Sequence, residues 1–97
     1  MTVQFKITGI IGTGAMGRGI AQMLAQAGSE VLLHDSQPAA SSKARDALFA
    51  QWDSMAEKGR LSAEQVASLR GRTRCVDALD DLAGCDLVVE AIVERLD

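Results

Sequence analysis

Val3 to Gly17, VQFKITGIIGTGAMG, reads as a short apolar strand that runs straight into a glycine-rich turn. Phe5, Ile7, Ile10 and Ile11 supply the apolar content that a buried parallel strand needs. Gly12, Gly14 and Gly17 follow at the G-x-G-x-x-G spacing, the residues between and beside them being Thr13, Ala15 and Met16. Each glycine has a separate task. Gly12 turns the chain sharply out of the strand, because it tolerates φ > 0 without a Cβ clash. Gly14 leaves no side chain between the backbone and a bound diphosphate, and Gly17 lets the next helix lie close against the strand. The free N–H groups at that helix's start, with its dipole, would then hold the phosphates.

The glycine spacing alone is a weak signal, since a glycine-rich turn with no ligand shows it too. Two features of context strengthen it. The motif sits between a strand pattern and a helix pattern, as dinucleotide binding requires. A second strand, Glu30 to His34 (EVLLH), ends in Asp35, about 20 residues past the turn, where an acid reads the ribose hydroxyls. A carboxylate there accepts hydrogen bonds from a free 2′-OH and repels a 2′-phosphate. Ser36 and Gln37 follow, with no arginine to hold such a phosphate, so the expected cofactor is NAD(H) rather than NADP(H).

Whole-chain properties exclude several other classes. Ninety-seven residues make one domain at most, a small one for a doubly wound sheet. Apolar residues at 47% and charged residues at 24% match an ordinary globular chain. A net charge of −3 with mixed signs offers no basic field for nucleic acid or an anionic membrane. No run has the length of a membrane span and the first residues lack signal-peptide character, so the cytoplasm is the expected location. Cys75 and Cys85 fall on strands at opposite sides of the sheet, too far apart for a disulfide. Neither has a His or Cys at ligand spacing, so no metal site is expected.

The first helix is expected from about Ala15 to Ala27, with Met16, Ile20, Met23, Leu24 and Ala27 facing the sheet, Arg18 and Gln22 outward, and Gly28 as its left-handed stop. Pro38 suits the first position of a helix running to about Lys58, with Ala44, Leu48, Trp52 and Met55 on one side and Gly59 as its stop. Ser62 and Gln65 fit a capping box, and Leu61 and Val66 a hydrophobic staple, for a further helix from Ala63 to Arg70 ending at Gly71. A crossover between two strands needs only one short helix, so this pair suggests a protruding helix–turn–helix insert with further work to do; a merely elaborated crossover is the alternative. Strand three is expected at about Thr73 to Val76. A brief helix or turn over Asp77 to Ala83 and strand four at Asp86 to Ala91 follow it. The fold class is therefore α/β, a Rossmann-like parallel sheet of order 3-2-1-4 with right-handed crossovers. Glu90 and Glu94 then lie at the carboxyl end of strand four, beside the switch point where ligands bind.

These residues resemble one family, the NAD-dependent L-3-hydroxyacyl-CoA dehydrogenases. The matching segments are IGTGAMGRGIA at Ile11 to Ala21, the VLLHD strand ending in Asp35, the long helical insert, and DLVVEAIVERL at Asp86 to Leu96. RGIAQ, KGRLSAEQ and VERLD look closest to the bacterial short-chain members. The resemblance implies that Gly12 to Gly17 carry the pyrophosphate and Asp35 the adenosine ribose. It implies that Ala91, Ile92 and Glu94 line the cofactor groove, Glu94 near the nicotinamide-side ribose. It also implies an acyl-CoA-facing insert in which Lys58 contacts CoA. Gln51 stands where the family has a serine, and Arg18 where a small residue is common.

In this family a histidine oriented by a glutamate takes the hydroxyl proton as hydride leaves C3. The sole histidine here, His34, sits at the end of strand two beside the expected adenosine site, so it is read as a packing residue. The resemblance places the catalytic residues and the helical dimerisation domain beyond position 97. The chain is thus expected to be a truncated cofactor-binding part, inert by itself, that self-associates through the exposed edge of strand four. Two other readings share the nucleotide turn. A non-catalytic NADH-sensing module would adjoin a DNA-binding segment. A methyltransferase usually lacks the third glycine, which Gly17 supplies.

Overall fold

The apolar run after Lys6 forms β1 (Ile7–Ile11) in the computed structural model, which describes residues 5–92. Then come α1 (Ala15–Gln26), β2 (Glu30–His34), α2 (Pro38–Glu57), α3 (Ala63–Arg72), β3 (Thr73–Cys75), a 3₁₀ turn (Leu79–Leu82) and β4 (Leu87–Glu90). The strands make one parallel sheet in the order β3-β2-β1-β4, the Rossmann-like arrangement expected. Ile10 lies in register with Leu33 of β2 and Val89 of β4. Alternate strand residues share a face, so Ile10, Val31 and Leu33 point to the helices while Gly9 and Leu32 point away. The Asp86 carboxylate accepts the N–H groups of Lys6 (2.9 Å) and Ile7 (3.0 Å), which fixes where β1 enters beside β4. Phe5 precedes the strand and is exposed, contrary to its expected place in a buried strand.

The rotation of α1 differs from expectation. Its buried residues are Gly17, Ala21 and Ala25, with Ile20 and Leu24 partly buried, whereas Met16 and Met23 are each 63% exposed. The helix is turned by about one residue, roughly 100°, from the stripe read in the sequence. The cause is steric. A Cβ built at Gly17 would lie 1.9 Å from the Gly12 carbonyl oxygen, so only a glycine can face the turn, and alanines one and two turns later follow it inward. Gly28, at φ +109 just past the Ala27 C-cap, ends the helix as expected.

The pair α2 and α3 builds the core rather than standing clear of it, a correction to the protruding insert. Leu48 and Trp52 of α2 and Val66 and Leu69 of α3 join Ile10, Ala21, Ala25, Val31 and Leu33 in one buried cluster. Trp52 is fully buried, and its indole N–H donates to Gln26 Oε1 (3.2 Å) at the end of α1, satisfying its polar tip. Gly59, at φ +74, closes α2 as expected. The capping box of α3 is formed in both directions: Gln65 N–H donates to Ser62 Oγ (3.1 Å), and Ser62 N–H to Gln65 Oε1 (2.8 Å). Helix α3 passes through Gly71, where an end was expected. Arg72 reaches the Ala25 carbonyl (2.9 Å) and the Thr73 hydroxyl donates to the Leu69 carbonyl (3.0 Å), which holds the last turn and leads directly into β3. Arg70 clasps the two helices, paired to Asp53 (2.7 Å) with its guanidinium 5.0 Å from the Phe49 ring centroid.

On the opposite face the 3₁₀ turn sets Leu82 and Cys85 over Gly9, where a Cβ would meet them at 3.0 and 3.1 Å. Cys75 in β3 and Cys85 just before β4 are both free, at the two outer edges of the sheet. Among the described residues no helix is long and apolar enough to cross a membrane, and no cluster of three His, Cys, Asp or Glu could hold a metal.

The core depends on Trp52 more than on any other large side chain of the insert. Trp52→Ala should lower unfolding free energy by about 3–5 kcal/mol, read from urea or thermal melts. A loss below about 1 kcal/mol would show that the insert contributes little to the core.

Candidate functional site

At the carboxyl end of β1 the chain turns at Gly12, whose φ of +93 suits glycine. Space forbids a side chain there as well, because a Cβ would meet the Ala91 carbonyl oxygen at 2.8 Å. The Gly12 N–H donates to the His34 carbonyl (2.9 Å), and the Ala91 N–H to the Ile11 carbonyl (2.8 Å). The turn is thus bracketed by the ends of β2 and β4, the place where an open parallel sheet binds ligands. Gly14 is the N-cap of α1, extended at φ −70 and ψ −169, and its carbonyl accepts the Arg18 N–H (2.9 Å). No side chain caps this helix and no acid lies in its first turn, so its N–H groups and positive dipole end remain available to an anion. A Cβ built at Gly14 finds nothing within 4 Å. Open space lies above the bend.

Asp35 faces this bend from the end of β2. Its Oδ2 accepts the Thr13 N–H (2.8 Å) and the Thr13 hydroxyl (2.9 Å), while Oδ1 accepts the Gln37 N–H (3.0 Å). The last bond makes an Asx-type turn that leads into α2, where Pro38 takes the first helical position as expected. These contacts hold the Asp35 carboxyl below its ordinary range. The Gln37 N–H has the largest effect and the Thr13 N–H the next; partial burial opposes them, and the Thr13 hydroxyl and His34 add to the lowering. Asp35 is therefore a carboxylate throughout the neutral range, an acceptor for hydroxyl groups. His34 lies alongside with its Nδ1 3.4 Å from the Val76 carbonyl oxygen, a packing position at this edge.

The crevice between these elements holds about 740 Å³. Ile11 to Gly14 form its floor, His34 to Gln37 and Ala40 one wall, and Leu79, Ala91 and Ile92 the other. Of the residues singled out from the sequence, Gly12, Thr13, Gly14, Asp35, Ala91 and Ile92 come together here. Ala15, Met16 and Gly17 do not line it. Gly17 is buried beneath the turn and Met16 projects from α1 into solvent, so its side chain is no part of the crevice. Glu94 lies outside the described residues. Lys58 is the C-cap of α2, while α2's first turn adjoins the crevice, so the lysine sits about 30 Å along the helix from it.

Ala40 and Leu79 are crevice residues that sequence reasoning missed. A signal for Leu79 exists: Leu82 three residues later is buried against the sheet, so a second leucine in an otherwise acidic turn has no core place to fill. The set fits a dinucleotide. Bare amides and open space suit a diphosphate, a pinned carboxylate suits a ribose, and the aliphatic groups of Ala40, Leu79 and Ile92 suit flat rings.

Comparison with known proteins agrees with this geometry. Residues 7–97 match the family described as 3-hydroxyacyl-CoA dehydrogenase, NAD binding domain. A probable 3-hydroxybutyryl-CoA dehydrogenase of Deinococcus radiodurans is 41% identical over 87 residues, covering 90% of this chain and 31% of that protein. The 3-hydroxyadipyl-CoA dehydrogenase of Escherichia coli K12 is 37% identical over 97 residues, covering all of this chain and 20% of that one. A crystal structure of 3-hydroxybutyryl-CoA dehydrogenase from E. coli K12 superposes with a TM-score of 0.89 at 36% identity, over 96% of this chain and 20% of that one. The chain thus spans between a fifth and a third of the length of these relatives. The match over residues 7–97 shows that the chain belongs to the NAD-binding domain family of the 3-hydroxyacyl-CoA dehydrogenases, with NAD as its cofactor.

Proposed function

We propose that these residues are the NAD-binding portion of a dehydrogenase that oxidises an L-3-hydroxyacyl-CoA to the 3-ketoacyl-CoA. The observation that carries this reading is the pairing of open space above Gly14 with an Asp35 carboxylate turned toward the same bend. In that reading the bend from Gly12 to Gly17 carries the pyrophosphate at the open start of α1 while the Thr13 N–H stays on Asp35. Asp35 takes a hydroxyl of the adenosine ribose, Ala91 and Ile92 flank the path toward the nicotinamide, and Glu94, outside the described residues, is the proposed contact of the nicotinamide-side ribose. The bound cofactor supplies the hydride acceptor. The protein's part is to orient it and to favour a nucleotide with a free 2′-OH.

Acyl-CoA is the proposed substrate class, from the family and from the names of its relatives. Lys58, exposed at the end of α2, is the proposed CoA contact, a cation at a helix C-terminus where the dipole favours it. The chemistry itself needs a base within hydrogen-bond reach of the substrate hydroxyl. His34 is the sole histidine of the sequence and lies on the Asp35 side of the crevice, so we assign it no such role. Two unlinked thiols suit a reducing compartment such as the cytoplasm.

Calorimetry on the 97-residue chain should show NADH binding at least about tenfold tighter than NADPH. The same chain should produce no NADH from L-3-hydroxybutyryl-CoA and NAD⁺. Tighter NADPH binding would contradict the Asp35 assignment, and turnover would contradict the reading that His34 is no catalytic base. A further expectation concerns the edge of β4, which pairs with β1 alone among the described residues; Val88 in the strand and Ile92 after it are exposed. Sedimentation velocity of the same chain should therefore reveal concentration-dependent self-association; a monomer at all concentrations would contradict it.

A further inference from the structure

We propose that Thr13 is a positioning residue whose hydroxyl holds the Asp35 carboxylate so that it accepts a ribose hydroxyl and excludes a 2′-phosphate, making Thr13 a determinant of the NADH preference. The proposal rests on the reading of the crevice as an NAD site and extends it to a residue that acts through another.

A carboxylate has about four acceptor positions. Both of those on Oδ2 are taken by Thr13, one by its N–H at 2.8 Å and one by its hydroxyl at 2.9 Å, and the Gln37 N–H takes one on Oδ1 at 3.0 Å. About one position remains, on Oδ1, and that is where a ribose hydroxyl is accepted. Thr13 is only 6% exposed, so its side chain serves the carboxylate rather than the ligand. Its amide would hold Oδ2 with any residue at this position. The hydroxyl is what distinguishes threonine, and it adds a second tether at a different angle. With two tethers on Oδ2 and one on Oδ1, the carboxylate cannot rotate away from an incoming group. A free 2′-OH finds a fixed acceptor, and a 2′-phosphate finds a fixed negative charge that does not retreat. The charged groups at this corner do not offset that repulsion: His34 on β2 has its Nδ1 3.4 Å from the Val76 carbonyl oxygen, and among the described residues no Arg or Lys lines the crevice.

The test is calorimetric titration of the 97-residue chain with NADH and with NADPH. Thr13→Val removes the hydroxyl at nearly constant size, Thr13→Ala provides a second route, and Thr13→Ser restores the hydroxyl. Circular dichroism identifies which variants fold. Loss of one charge-assisted bond should narrow the NADH-over-NADPH preference by about tenfold in Thr13→Val and Thr13→Ala, mainly through weaker NADH binding. Thr13→Ser should return it to within about twofold of the unsubstituted chain. In an Asp35→Ala background, Thr13→Val should leave the residual preference unchanged, because the group it acts through is gone. An unaltered preference in both Val and Ala variants would overturn the proposal. So would a serine variant that behaves like alanine, or an equal effect with and without Asp35. Failure of the unsubstituted chain to bind NADH would overturn the site reading and this proposal together, whereas failure confined to the Thr13 series overturns this proposal alone.

Discussion

The carbonyl oxygen of Gly12 and the α-carbon of Gly17 approach so closely that no side chain fits between them, and the rest of the site follows from that contact. It seats the first turn of α1 on the bend and fixes the helix's rotation about its axis. Ala21 and Ala25 are thereby turned inward, and the helix packs closely on β1 and β2. The same seating leaves Gly14 at the helix's open end, with uncapped amides toward the crevice and nothing above them. A packing constraint thus produces the binding geometry.

The second element is electrostatic and comes from across the sheet. Parallel pairing of β1 with β2, Ile11 opposite His34, brings Asp35 to the bend after β1, within hydrogen-bond reach of Thr13. Three hydrogen bonds then hold the carboxylate ionised and aimed at the bend. Register matters here as much as residue identity. A slip of one residue would turn Val31 and Leu33 out of the helix-covered core and move Asp35 away from Thr13 together. Core packing and ligand site are specified by the same strand pairing.

Much of this was legible before any coordinates. The strand–turn–helix order, the sheet order, the caps at Gly28, Gly59 and Ser62, and the convergence of Gly12, Gly14 and Asp35 all follow from local chemistry with a stated geometry. What was not legible depended on tertiary contact. Met16 and Met23 read as core because apolar periodicity ranks large residues above small ones, yet close approach at Gly17 favours the Gly-Ala-Ala stripe. The insert read as a projection because a crossover has no need of two helices. Only the burial of Trp52 and Leu69 against α1 and the sheet shows that this small domain draws its core from both. Ala40 entered the crevice by three-dimensional proximity, which no local spacing encodes.

Gly14 offers the most direct test of the central claim, because its backbone is extended and the space above it is empty. A Cβ there meets nothing in the protein within 4 Å and enters the volume assigned to the diphosphate. Gly14→Val should therefore leave the melting temperature within a few degrees of the unsubstituted chain while weakening NADH binding by about a hundredfold or more. A valine variant that is folded and binds NADH as tightly as before would contradict the account.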